Sequence, residues 1–173
     1  MEIAKELEHW REFYLLLGTG GGTLVALLFV AVSLGTGYLT PARADSTRLF
    51  MSPVVIHFAS VFFISAVALI PAHKPLFFAG LIGATSLVGL IVSTVVTVRV
   101  VRTDFTNEVV DYFAYGLLPA IGYAGLLAAA AAIYAGKEVG ADLLGGALLL
   151  LLIVNIRNAW DLTLTMVQRH IDP

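Results

Sequence analysis

Four side chains near the end of the sequence carry most of its potential chemistry. From Gly140 the chain reads GADLLGGALLLLLIV and turns without a break into NIRNAWDLTLTMV, so Asn155, Arg157, Asn158 and Asp161 fall at or inside the end of a long apolar run. Such a run needs about 20 residues to cross a bilayer, and ionisable groups at that depth are costly enough to mark candidate functional positions. Arg157 and Asp161 stand four apart, a helical spacing that lets the two charges pair and persist. Thr165 continues the same face one turn further on. The second candidate is His57, set inside an apolar run near the middle of the chain. An imidazole and a partly buried carboxylate are the groups able to exchange protons near neutral pH.

Other chemistries find no support. There are no cysteines, which removes disulfides, thiolate metal sites and thiol catalysis. No His-Glu metal motif, phosphate loop, calcium loop or nucleic-acid signature occurs. Asp161 is the only carboxylate clearly within an apolar run, so the paired aspartates of an intramembrane protease are absent as well. No catalytic residue, metal ligand set or cofactor is assigned, and the reading leans away from an enzyme.

The elements that must position these residues are membrane spans. The chain is 59% hydrophobic and 13% charged, where a soluble domain carries roughly a quarter charged residues. Mean hydropathy is +0.92, and the net charge of −2 gives no reason to invoke nucleic acid. Five apolar runs, about 13–36, 52–70, 76–98, 112–135 and 139–166, predict an all-α integral membrane protein, a five-span transmembrane helix bundle occupying 13–168. Residues 1–12 precede it, with Ile3, Leu7, Trp10 and Tyr14 at helical spacing between charged residues, which reads as a short amphipathic helix in the interface or, alternatively, as a polar extension of span one. Residues 169–173 form a short tail. The acidic amino terminus is unlike a secretory leader, so the first span is expected to be retained. Short connections such as PAHK and GKE force antiparallel hairpins, whereas TPARADSTRLFM reads as a longer loop.

Five spans place the termini on opposite sides. Arg43, Arg48, Arg99, Arg102 and Arg169 share one side; Lys5, Arg11, Lys74 and Lys137 share the other. The positive-inside rule makes the arginine side cytoplasmic and the N-terminus external. Sidedness gathers a second tier of polar residues, Arg99, Arg102, Glu108, Asp111 and Asn155, beside the span-five cluster. His57 would lie about 8 Å below the same surface, near the depth of Arg157 and Asp161. His73 is about 24 Å away along the helix, so one copy cannot ligate a haem through both, although His57 from two copies could.

At 100° per residue, Gly146, Ala147, Leu150, Val154, Arg157, Asn158, Asp161, Thr165 and Gln168 fall on one broad face of span five, expected to look into the bundle or an assembly axis. Leu144, Leu148, Leu149, Leu152, Ile156, Ala159 and Met166 fall opposite, expected toward lipid; Asn155 does not fit this division and sits nearer the lipid side, in reach of a neighbouring helix or the headgroups. Thr85, Gly89, Ser93 and Thr97 form a small-residue stripe on span three, with Gly80 and Ala84 as a second small pair. Gly18 and Gly22 start another on span one. Such stripes let helix backbones approach closely. The run GTGGGT at 18–23 leaves a second possibility, a locally unwound helix. Pro119 among Gly116, Gly122 and Gly125 predicts a kink in span four.

Three functions fit. The leading one is a homo-oligomeric membrane channel or small transporter for protons or small ions, its pathway lined by the polar face of span five. The alternatives are a non-catalytic membrane subunit or scaffold docking a partner membrane protein, and a quinone- or haem-binding redox anchor centred on His57. In each the lipid bilayer is the obligatory partner.

Overall fold

The computed structural model describes residues 2–35, 41–70, 74–102 and 113–171. Its regular elements are all helical among the described residues: α1 (Glu2–His9), α2 (Arg11–Gly35), α3 (Pro41–Ala68), α4 (Pro75–Arg102), a π-helical turn (Phe113–Leu117) leading into α5 (Leu118–Tyr134), and α6 (Val139–Ile171). Four stretches are long and apolar enough to cross a membrane: Arg11–Ser33, Pro75–Val98, Phe113–Tyr134 and Val139–Leu164, with mean hydropathies of 2.2, 2.2, 1.8 and 2.2. The apolar part of α3, Ser52–Ala68, is shorter than these.

Helices α3, α4, α5 and α6 each pack on the next, and α6 returns to α3, so the four make a square. Within it α3 and α5 are diagonal, and so are α4 and α6, because neither pair shows more than a marginal backbone approach. Helix α2 packs outside the square against α3 and α6. Two apolar clusters fill the interior. The larger, including Val61, Ile64, Phe78, Ile82, Leu126 and Ile133, occupies the lysine-side half, and a smaller one around Val54, Phe58, Val96 and Tyr115 lies toward the arginine side.

Small residues set the contacts. A Cβ on Gly89 of α4 would overlap the Tyr123 ring of α5, and one on Gly122 would meet Leu151 of α6 at 2.7 Å. Gly18, Gly21 and Gly22 of α2 lie against Ser65, Phe58 and Phe62 of α3. Gly145 of α6 receives the Trp10 and Phe13 rings, and Tyr14 donates to the Ala141 carbonyl at 3.2 Å. The α5–α6 hairpin is closed by a Schellman turn. Gly136 sits at φ +69°, Lys137 N–H donates to Ala132 at 2.9 Å, and Gly136 N–H donates to Ile133 at 3.0 Å.

Several expectations change here. The stretch 41–51, read as loop, is helical: Pro41 opens α3, where a missing N–H is harmless, and the Ala-Arg-Ala that follows favours helix. The glycine run of α2 is not unwound, because its glycines are occupied in packing against α3 within one continuous helix. The faces of span five are rotated. Leu144 and Leu148, assigned to lipid, are fully buried, while Gly146 and Arg157, assigned to the bundle or an assembly axis, are exposed on this chain; Asn155 is fully buried. Polarity misleads because a membrane bundle's interior is as apolar as the lipid around it, so leucine favours neither.

Overpacking a tight core position costs about 1–3 kcal/mol. Gly89→Ala should therefore destabilise the detergent-solubilised protein by about that amount, since its methyl group would displace Tyr123. Gly80→Ala, at a position with nothing within 4 Å, should leave the thermal unfolding midpoint unchanged or raise it.

Candidate functional site

The polar residues of the square form two hydrogen-bonded layers, each centred on a tyrosine of the fourth apolar segment. In the deeper layer, Tyr123 reaches across the bundle from α5 to α3. His57 Nδ1 lies 2.8 Å from its hydroxyl, which also bonds Ser60 Oγ at 3.1 Å, and Ser60 bonds the Ile56 carbonyl at 2.8 Å. The direction of every proton in this chain is fixed by its end. A carbonyl can only accept, so Ser60 donates to Ile56; Tyr123 then donates to Ser60, and His57 Nδ1–H donates to Tyr123. The imidazole is thereby held as the tautomer whose Nε2 carries a lone pair. That atom is buried and has no hydrogen-bond partner.

The outer layer joins α6 to the π-helical turn. Tyr115 donates to the Asn158 carbonyl at 3.0 Å and to Asp161 Oδ2 at 3.1 Å. Asn158 Nδ2 donates to the Ala114 carbonyl at 2.8 Å. A π-turn lengthens the hydrogen-bond step by one residue and turns consecutive side chains out of ordinary helical register. It stands immediately before Pro119, whose missing N–H already breaks the α-helical ladder.

The sequence-predicted residues divide accordingly. Asn158 and Asp161 belong to the outer layer, and Arg157, which is exposed, donates from Nη1 to Asn158 Oδ1 at 3.4 Å. His57 belongs to the deeper layer, on the other side of the intervening Pro119 turn, so the two candidates are parts of one seam but do not touch through these bonds. Asn155 lies between the layers, fully buried, with Nδ2 donating to Leu151 at 2.7 Å. Gly89, Ser93 and Thr97 face α5: Gly89 lies under Tyr123, Ser93 is buried, and Thr97 Oγ1 fills the space where a Cβ on Gly116 would go. Thr85 is half-buried and bonds back to Leu81. Arg99, Arg102 and Thr165 lie on described helical backbone, but their side chains, like Glu108 and Asp111 altogether, are outside the described residues. Tyr115 and Tyr123, which organise both layers, were missed: Tyr115 stands near a span end, where a tyrosine reads as an interfacial anchor, and Tyr123 lies mid-span with no charged neighbour to draw notice. The available signal was their eight-residue spacing, two turns on one face, around a proline.

His57 Nε2, the atom that a haem shared between two copies would need, is buried inside the chain. No metal-holding group of three His, Cys, Asp or Glu residues occurs among the described residues.

No family model matches the sequence, and neither the curated proteins nor the solved structures give a match.

Leaving a buried polar group without its partner costs about 1–3 kcal/mol. Tyr123→Phe strands His57 Nδ1 and leaves Ser60 only its bond to Ile56, so thermal or denaturant unfolding in detergent should show a loss of that order. Tyr134→Phe, on an exposed ring at the end of α5, should be neutral in the same assay.

Proposed function

We propose that the protein is a small membrane transporter or channel for protons or small ions, whose route is the polar seam inside the α3–α6 square. The observation that carries this reading is the seam itself. Polar groups run from half-buried Asp161 near the arginine side, through buried Tyr115, Asn158 and Asn155, to buried His57 in the interior. Structural needs alone are met more cheaply by apolar side chains, which makes a row of polar groups at this depth a functional hypothesis. The route therefore lies within the square, lined by the buried Asn155 and Asn158 of α6 and not by its exposed Arg157. On the lysine side the interior is apolar, so passage requires that half of the bundle to open, a requirement that favours a gated transporter over an open pore.

In this reading all five long helices cross the bilayer. The apolar segment of α3 spans about 26 Å at 1.5 Å per residue and is extended to about 30 Å by the polar turns before it. Helix α1 lies in the interface, burying Leu7 while Lys5, Glu8 and His9 stay exposed. The arginine side is cytoplasmic by the positive-inside rule.

A second reading, a subunit that docks another membrane protein or a second copy, has one observation in its favour. Gly80 and Gly83 of α4 have open space where side chains would be, and Ala84 beside them is exposed, a surface on which another helix can pack closely.

Proteoliposome flux decides between them. Protein-dependent proton or cation flux is expected with the wild type. It should fall to the lipid-only leak with Asp161→Asn, which keeps an oxygen for Tyr115, and with His57→Gln, both reconstituted in matched amounts and checked for native helicity. Silence from folded wild-type protein, together with co-purification of a partner that Gly80→Leu abolishes, would establish the docking reading instead.

A further inference from the structure

Between the two tyrosine layers lies a level of the bundle whose polar atoms are unsatisfied. Four buried side-chain atoms have no hydrogen-bond partner among the described residues: His57 Nε2, Ser65 Oγ, Ser93 Oγ and Asn155 Oδ1. Ser65 is accounted for separately, since it sits two turns deeper on α3, against Gly18 of α2. The other three belong to α3, α4 and α6, and the contacts of their neighbours place them near one level of the bundle.

Gly89 of α4 lies under Tyr123, which is level with His57; Ser93 follows Gly89 by one turn on the same face. Leu151 of α6 lies against Gly122, the residue beside Tyr123, and Asn155 follows Leu151 by one turn. Helices α4 and α6 both run opposite to α5, so Ser93 and Asn155 are displaced from the Tyr123 layer in the same direction, by about 6 Å. A second route agrees. Adjacent glycines of α2, Gly20 and Gly21, meet Leu152 of α6 and Phe58 of α3, so Asn155 lies only about 3 Å along the axis from the level of Phe58. Helical side chains lean toward their own N-terminus. Those of α4 and α6 lean toward the Tyr123 layer, and His57 on α3 leans back toward theirs. Pro119 occupies this level on α5, and Pro53 and Val54 lie near it on α3, none of them offering a polar side chain.

The hydroxyl of Ser93 is an exception in its own helix. Thr85, Ser86, Thr94 and Thr97 each donate to the carbonyl four residues back, the usual escape for a hydroxyl in an apolar helix. Ser93 is fully buried and does not. Asn155 likewise has its amide hydrogens turned to Leu151, leaving a carbonyl oxygen unmatched. The three atoms thus offer two pure acceptors, Nε2 and Oδ1, and one hydroxyl that can donate or accept.

We propose that this level is a binding site for one small hydrogen-bond donor, of the size of water or ammonia, held by His57 Nε2, Asn155 Oδ1 and Ser93 Oγ. Its occupant donates two hydrogens, to Nε2 and Oδ1, and exchanges a third bond with Ser93. Three bonds are what a buried water ordinarily makes, and ammonia or ammonium presents the same donors. A divalent or alkali cation fits poorly, since hard cations want carboxylate and carbonyl oxygens and the site offers one amide oxygen and an imidazole nitrogen. The site stands on packing alone and does not depend on transport: a protein silent in the flux assay would keep it.

Solid-state nitrogen NMR of histidine-labelled protein in lipid bilayers tests it, the His57 signals being identified by their loss in His57→Gln. The expected spectrum has Nδ1 protonated, with Nε2 an unprotonated nitrogen shifted from the bare-imidazole position by an accepted hydrogen bond. Asn155→Leu and Ser93→Ala should each return Nε2 toward the bare position while leaving the Nδ1–Tyr123 signature intact; if the first does not fold, the second carries the same test. Replacing sodium chloride by ammonium chloride at equal ionic strength separates the sources. A saturable shift of Nε2 identifies ammonium or ammonia as the occupant, whereas an unchanged Nε2 that exchanges magnetisation with water identifies water. A bare Nε2 in the wild type under both salts, or a proton covalently on Nε2 in place of Nδ1, would overturn the proposal.

Discussion

Tyr123 has nowhere to put its hydroxyl except across the bundle. In a hydrocarbon environment no solvent is available to satisfy a polar group, so each one must be matched from within the protein. The ring lies over Gly89, where the lack of a side chain leaves room for it, and this carries the oxygen from α5 to the diagonal helix α3. Because α3 and α5 hardly approach through their backbones, this contact ties together the two helices that ordinary ridge-and-groove packing leaves apart. Much follows from it. The identity of residue 89, the tautomer of His57, the orientation of Ser60 and the level at which the polar seam ends are all consequences of one phenol finding its partners.

The outer layer obeys the same constraint by another means. Tyr115, two turns before Tyr123, is held by the carbonyl of Asn158 and the carboxylate of Asp161, and the return bond from Asn158 goes to the backbone at Ala114. The carbonyl of Ala114 is reached by an amide from the neighbouring helix, at a point where the π-turn and Pro119 disturb the local ladder. An amide side chain is well suited to such a place, since it donates to a distorted backbone while its oxygen takes a bond from Arg157. The two layers differ in exposure. The inner one is closed, and the outer one, through half-buried Asp161 and exposed Arg157, reaches the surface of the bundle.

The membrane character of the chain and the presence of its long helices are plain from hydropathy and from charged or turn-forming breaks, because burying a backbone in lipid demands uninterrupted helix. The location of Asp161, Asn158 and His57 within those helices is plain for the same reason: polar residues inside apolar runs are rare enough to see. Orientation about the helix axis is much less legible. Leu144 and Leu148 face the core and Leu149 and Ile153 face outward, and nothing in their chemistry distinguishes them. Small residues were the better guide. Gly89, Gly122 and Gly145 each mark a place where a specific large side chain arrives, although the sequence does not name which one. The helical start of α3 was hidden for a different reason, since its polar first turns resemble a loop when only apolar runs are counted.

The position of α6 in the square bears on how the protein is made. It is the last of the long helices in the sequence, and it is also the one that packs on α2, α3 and α5 together. Until it arrives, Tyr115 has no Asn158 carbonyl and no Asp161 to bond, whereas His57, Ser60 and Tyr123 can already pair among themselves. The growing chain therefore passes through a stage in which α2 to α5 are made and half of the polar interior is matched while the rest faces an open groove. Release from the translocation machinery before α6 docks would expose that groove to lipid. The short α5–α6 hairpin, locked by its Schellman turn, keeps the interval brief by delivering the closing helix directly beside its main partner.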